Sequence, residues 1–235
     1  MQRVIWSVVG LVVIAAAAIG TVGGLEKRSD RAEGSSRIIS FPQFLSKTCR
    51  NGRAKLYDEC GDQMDILRSA ARKAAVDGKV MLVSYGAEWC IWCHVFDAYI
   101  HGGIKQFSYT FASPSAIETR RNAVLYERAA IDVSGEATKL QQYVADHFVI
   151  AHIDAQYAPN GRTVLTSTGA AKHDNGWLPF IFTVKVDGQF AAQLDHGLVE
   201  SRRDTADWYR GYHRVNLLKV LTGMHDAAHG EPAKN

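Results

Sequence analysis

The chain has 235 residues, 47% of them hydrophobic and 22% charged, with 27 Lys and Arg against 24 Asp and Glu. The apolar share is enough for a substantial core and the charged share matches a folded surface, which excludes a disordered chain. The formal charge of +3 is small and the basic residues are scattered, so the concentrated Lys/Arg footprint of a nucleic-acid binder is missing and no nucleic acid is expected as a partner.

Met1-Gln2-Arg3 is followed by an uncharged run from Val4 to Gly24 that includes Val8, Val9, Leu11, Val12, Val13 and Ile14. A basic start followed by an apolar run reads as an export signal. Residues 1–24 are expected to be either a signal peptide or an uncleaved transmembrane anchor. Small residues at Ala16, Ala18 and Gly20 suit cleavage, while the run approaches the roughly 20 residues that span a bilayer. Export to an extracytoplasmic compartment, the bacterial periplasm, is the expectation in both cases. Residues 25–37 are polar, with Gly34, Ser35 and Ser36, and read as a tether. A folded domain over 38–223 and a tail over 224–235 complete the division.

Ile38 to Leu45 suits a short strand. From Asp62 the spacing of Met64, Leu67, Ala71 and Ala74 predicts one apolar helical face, with Gly78 as its end. Val80-Met81-Leu82-Val83-Ser84-Tyr85 is a short apolar run between Gly78 and Gly86, as a buried strand should be. Cys90 to Ile100 is predicted helical and to end at Gly102-Gly103. The region from 104 to 146 reads as a helical insertion. Ser115 would cap one helix with Glu118 reaching back, Arg120 to Arg128 would continue it, and a second helix would run from Glu136 to Ala145 with Leu140 and Val144 inward. Phe148 to Ile153 is the next strand, and Ala155 to Gly176 is a loop holding a short helix. Phe180 to Val186 and Gln189 to Leu194 flank Asp187-Gly188, a tight-turn pair that tolerates positive backbone angles, and so form a hairpin. A last helix is expected from Asp204 to Leu221, with Trp208, Val215 and Leu218 buried and Gly223 stopping it. This order implies an α/β fold, a mixed sheet covered by helices on both faces.

The chemistry concentrates in four cysteines, Cys49, Cys60, Cys90 and Cys93. Export would place them where disulfides persist, and three pairings are open in principle. The close pair Cys90/Cys93 leaves Cys49/Cys60 as the simplest complement, a structural bridge closing a small loop. A redox relay or a mixed site is the alternative. Cys90 and Cys93 stand three residues apart at a predicted helix start, so their side chains rise from one face and can close a bridge. The first lies where unpaired N–H groups and the helix dipole favour negative charge. The thiolate is the reacting species in disulfide exchange, so Cys90, on the exposed turn, is the expected nucleophile and Cys93 the resolving thiol. Trp92 between them is expected to be an exposed contact or a cover over the sulfurs.

At these residues the chain resembles the thioredoxin superfamily, in particular exported thioredoxin-like proteins of the thiol-disulfide interchange type. The resemblance rests on Val80 to His94, above all Ala87-Glu88-Trp89-Cys90-Ile91-Trp92-Cys93. It rests also on Gly176-Trp177-Leu178-Pro179 before Phe180-Ile181-Phe182, and on Asp187-Gly188. It covers residues 60 to 100 and 147 to 222, leaving the insertion and Cys49 aside. The resemblance implies a thioredoxin-like fold and thiol-disulfide exchange on protein thiols or disulfides, without cofactor or metal and with a membrane redox partner. It also implies that Trp89 packs beside the dithiol and that Leu178 and cis-Pro179 form the substrate-binding loop opposite. One departure touches mechanism. The buried acidic residue of many thioredoxins falls at Ser84, which cannot accept a proton in the same way, so Glu88, His94 or water is expected to serve. His94 could also stabilise a thiolate by positive charge.

Three other classes fit parts of the pattern. Cys90-Ile91-Trp92-Cys93-His94 has the form of a c-type haem attachment site, with Met224, His225 or His229 as the second axial ligand. All four cysteines together have the ligand types of a structural zinc site. A peptide-binding or chaperone module on the same fold would use the same groove without turnover.

Overall fold

The computed structural model describes residues 37–104, 107–112, 117–122, 133–203 and 209–230. The expected export segment, the Ser115 cap and Trp208 lie outside these residues. Among the described residues no helix is long and apolar enough to cross a membrane.

A five-stranded mixed sheet is the centre of the fold, in the order β1-β5-β2-β6-β7. Its strands are β1 (Ile39–Phe41), β2 (Val80–Gly86), β5 (Phe148–Asp154), β6 (Phe180–Val184) and β7 (Phe190–Gln193). β5 runs parallel to β1 and β2, whereas β6 pairs antiparallel with both β2 and β7. Every residue of β2, β5 and β6 is buried, because strand alternation sends successive side chains to opposite faces and both faces are covered. Val80, Leu82, Phe148, Ile150 and Ile181 join the core on one side, and Met81, Val83, Val149, Ala151, Phe180 and Phe182 join the core on the other. Each such side chain larger than Ala151 contributes on the order of 2 kcal/mol of burial free energy.

The second face is closed by α1 (Gln63–Asp77) and α4 (Gly161–Ser167). α1 starts where the Asp62 side chain accepts the Met64 N–H, and it ends at Gly78, whose φ of 66° is left-handed; a glycine adopts that conformation without a Cβ clash. Its buried stripe is Gln63, Ile66, Leu67, Ala70 and Ala74, with Met64 and Ala71 at the margin. The other face carries α2 (Ile91–Ile100), α3 (Val133–His147) and α6 (Arg214–Ala228). Leu140 and Val144 of α3 are fully buried, as their spacing predicted. The arrangement is the mixed α/β one expected from the sequence, a mixed sheet covered by helices on both faces, and the Asp187-Gly188 hairpin is present with φ 83° at Gly188.

Two expectations are corrected. The insertion is not helical at its start: β3 (Phe107–Ala112) and β4 (Ile117–Asn122) form an antiparallel hairpin, so Glu118 and Arg120 sit in a strand. Phe107, Tyr109, Thr110 and Phe111 carry the β-branched and aromatic character that favours strands, a cue outweighed in the sequence by a plausible capping pattern. The last helix starts ten residues late. After α5 (His196–Val199), β8 (Glu200–Arg203) pairs with β9 (Tyr209–Tyr212), and α6 then runs through Gly223 to Ala228. Its buried face is therefore Leu217, Leu221, Met224 and Ala228, while Val215 is 61% exposed. A single glycine costs a helix only about 1 kcal/mol, less than the burial of Met224 and Ala228 beyond it returns.

Candidate active site

β2 delivers the chain to the dithiol and α2 carries it away. Cys90 occupies the N-cap of α2, and its Sγ accepts the backbone N–H of Cys93 at 3.3 Å. Such a cap uses the cysteine sulfur where serine or aspartate oxygen usually serves, and the same N–H groups favour negative charge on that sulfur. Cys90 and Cys93 are joined in a disulfide, with Cα atoms 5.3 Å apart. The turn is less open than its sequence suggested: Cys90 is 4% exposed and Cys93 has no exposed surface. Cys90 is still the more exposed of the two residues.

Leu178 packs against the small apolar cluster of Tyr57, Ala87, Cys90 and Cys93, and the bond between Leu178 and Pro179 is cis. The cis-proline loop thus stands beside the dithiol. His196 donates Nε2–H to the Pro179 carbonyl at 2.9 Å, while its Nδ1 lies 2.7 Å from Glu200 Oε1. Trp92 also packs on the cysteine cluster and meets the Tyr212 ring edge-on at 5.6 Å. Trp89 is 38% exposed and gives its indole N–H to Gln156, so it flanks the site from solvent.

Glu88 is buried, and its carboxylate accepts three backbone N–H groups at 3.0 Å each, from Lys55, Leu56 and Tyr57. This carboxylate anchors the 55–57 segment against the dithiol. His94 donates Nε2–H to the Glu88 carbonyl at 2.7 Å, with Glu88 Oε1 at 3.6 Å. Burial pushes its pKa below the ordinary value, against the opposing pull of Glu88. That shift works against the positive charge expected of His94. Ser84 is buried and shares a 3.0 Å hydrogen bond with the Tyr57 hydroxyl.

Sequence reasoning missed the groups beneath the sulfurs. Tyr57 is fully buried although nothing in the spacing of its segment marks it. His152 stands opposite Ser84 in the β2–β5 register, 2% exposed, with Asp97 Oδ1 3.5 Å from its Nε2. Neither His152 ring nitrogen makes a hydrogen bond with a described residue, and burial pushes its pKa down to about 4. A polar residue within the apolar run 148–153 was the available signal. Asp154, at the end of β5, accepts the N–H groups of Gln156, Tyr157 and Ala158, and its own N–H bonds the buried Gln63 amide.

Cys49 and Cys60 are bonded, with Cα atoms 5.9 Å apart. The two cysteine pairs are therefore separate, which leaves no four-cysteine ligand set, and no described cluster of His, Cys, Asp or Glu has the disposition of a metal site. The haem ligand set does not assemble either. His225 packs against Phe148, at the end of β5 opposite the dithiol, and six residues of strand separate those ends by roughly 20 Å.

No family model matches this chain, and no curated protein does. Among solved structures, a disulphide isomerase from Xylella fastidiosa Temecula1 is similar at 19% identity and a TM-score of 0.38, over 61% of this chain and 82% of that one. The chemistry of this chain rests on its own site: a dithiol at a helix N-terminus, beside a cis-proline loop.

Proposed function

We propose that the protein is a thiol-disulfide oxidoreductase that acts on protein thiols and disulfides. The carrying observation is the Cys90 Sγ at the N-cap of α2, bonded to Cys93 and overlooked by the Leu178-Pro179 loop. A substrate thiolate attacks the Cys90 sulfur, the Cys90–Cys93 bond opens, and a mixed disulfide forms. A second substrate thiolate then resolves it, which leaves substrate oxidised and the dithiol reduced. Reduction of substrates is the same route reversed, with Cys93 as the resolving thiol. The extended backbone beside a cis-proline suits an unfolded or extended polypeptide, whose main chain it can pair.

The apolar run from Val4 to Gly24 supports an extracytoplasmic location. Sustained turnover there requires a membrane redox partner to supply or remove electrons. Purified protein should catalyse exchange between a dithiol and a protein disulfide, Cys90→Ser should abolish it, and Cys93→Ser should accumulate mixed disulfides. Undiminished turnover in Cys90→Ser would sink the assignment, and peptide binding without any turnover by the intact protein would favour a binding module.

A further inference from the structure

Tyr57 is fully buried and its hydroxyl lies 3.0 Å from Ser84 Oγ. A Cβ at Gly86 would stand 2.5 Å from that hydroxyl and 2.6 Å from Cys93 Sγ. Phenol and sulfur thus crowd the same side of one glycine, and both belong to the apolar cluster with Cys90 and Ala87. A serine and a phenol in contact can share only one proton between them. When Ser84 donates to the phenolic oxygen, the phenol's own proton is free for another acceptor, and the Cys93 sulfur lies on the same side of Gly86.

The surroundings keep the phenol a donor. Burial pushes its pKa well above the ordinary value; the Ser84 hydrogen bond opposes this, and the negative charges of Asp97, Glu88 and Asp154 add to it. Those carboxylates disfavour a second anion nearby, so a thiolate on Cys93 needs a compensating dipole. Glu88 is engaged with three backbone N–H groups and His94 Nε2 with a carbonyl. His152 meets the Tyr57 ring edge-on at 5.6 Å.

We propose that Tyr57 is the hydrogen-bond donor that stabilises the Cys93 sulfur as it takes up negative charge when the Cys90–Cys93 bond opens. This rests on the exchange reading above. In that step the substrate sulfur bonds to Cys90 Sγ, the Cys90–Cys93 bond breaks, and its electron pair leaves on Cys93 as a thiolate. The substrate sulfur is oxidised, Cys93 is reduced, and no proton is transferred. The phenol keeps its proton and aims it at the new anion, as a preorganised donor does for a developing oxyanion. In the reverse direction the same bond holds the Cys93 thiolate ready to attack. Ser84 positions the phenol, which is a use for a hydroxyl where a carboxylate was expected.

The test is Tyr57→Phe in the full chain, which removes one oxygen and keeps the ring. The opening of the oxidised dithiol by glutathione thiolate is timed, and the pKa of Cys93 is followed by thiolate ultraviolet absorbance in a Cys90→Ala background. The variant should open about ten-fold more slowly, and its Cys93 pKa should rise. An opening rate within about two-fold of the parent, with an unmoved Cys93 pKa, overturns the proposal. If Tyr57→Phe does not fold, Ser84→Ala supplies the same readouts. It should slow opening in the same direction, and an unchanged rate and pKa overturn the proposal equally. The Cys93 titration needs no turnover, so a parent protein that exchanges no disulfide defeats the oxidoreductase reading, whereas an exchanging parent matched by Tyr57→Phe defeats this inference alone.

Discussion

Gly86, the last residue of β2, leaves the space that the Tyr57 hydroxyl and the Cys93 sulfur both border; a methyl group there would lie 2.5 Å from one and 2.6 Å from the other. Neither neighbour can retreat, because the phenol is fully buried and the sulfur is tied to Cys90. Gly86→Ala should destabilise the oxidised protein by about 1–3 kcal/mol, the usual cost of overpacking. Chemical denaturation measures it, and a loss below about 0.5 kcal/mol would show that the cluster yields more easily than its burial implies.

Glu88 holds the 55–57 segment by three charge-assisted hydrogen bonds. Glu88→Ala leaves three N–H groups without their acceptor, and Glu88→Gln puts an amide N–H₂ against at least one of them. Each should cost about 2–3 kcal/mol in a denaturant titration. Amide hydrogen exchange should also speed up at Leu56 and Tyr57 in both variants, and unchanged protection there would remove the anchoring role.

His152 makes stability depend on pH. Its folded pKa is held down to about 4 from an ordinary 6.5, because burial disfavours the imidazolium. Between those values the unfolded chain binds a proton that the folded chain refuses, so stability falls as pH is lowered from about 6.5 toward 4. The largest loss is on the order of 3 kcal/mol. Within this window the depressed His94 acts in the same direction and the raised Glu59 opposes it; the depressed Asp97 acts only below its ordinary 3.8 and the raised His101 only above its ordinary 6.5. His152→Asn should therefore flatten the slope without abolishing it. An identical slope in parent and variant would exclude His152 as its source.

The bridge from Cys49 to Cys60 spans a sequence separation of 11. Closing so short a loop in the unfolded chain is worth about 3 kcal/mol in the chain-entropy account. The double variant Cys49→Ser/Cys60→Ser should lose roughly that stability while retaining disulfide exchange. Loss of exchange in a variant that still folds would make this pair part of the redox path.

His196 pins the cis-proline loop by bonding the Pro179 carbonyl. His196→Phe, which keeps a planar ring and removes both nitrogens, should raise KM for a protein disulfide several-fold while leaving reduction of a small disulfide within about two-fold of the parent. Equal KM values would mean that the loop holds its shape without that bond.

Much was legible from local cues. Asp62 and Gly78 bounded α1 because a cap and a left-handed glycine act within a few residues. The apolar runs at 80 and 148 became central strands because strands covered on both faces need continuous hydrophobicity. The region from 104 to 122 and the start of α6 were misread where local cues conflicted, a capping pattern against strand-forming residues and an interior glycine against packing beyond it.

By itself the sequence determined the dithiol at a helix start, the proline loop, the hairpin turn and the alternation that fills both cores, since each depends on residues within a turn or a strand of one another. Only the tertiary structure decided what stands under the sulfurs. Tyr57, the β2 pair Ser84 and Gly86, Cys93 and His152 arrive from four separate segments, and no periodicity links one segment to another. They meet because β2 and β5 pair in one register and Glu88 draws the 55–57 segment over the end of β2, so that burial and the demand for hydrogen-bond partners set a polar arrangement that spacing along the chain cannot express.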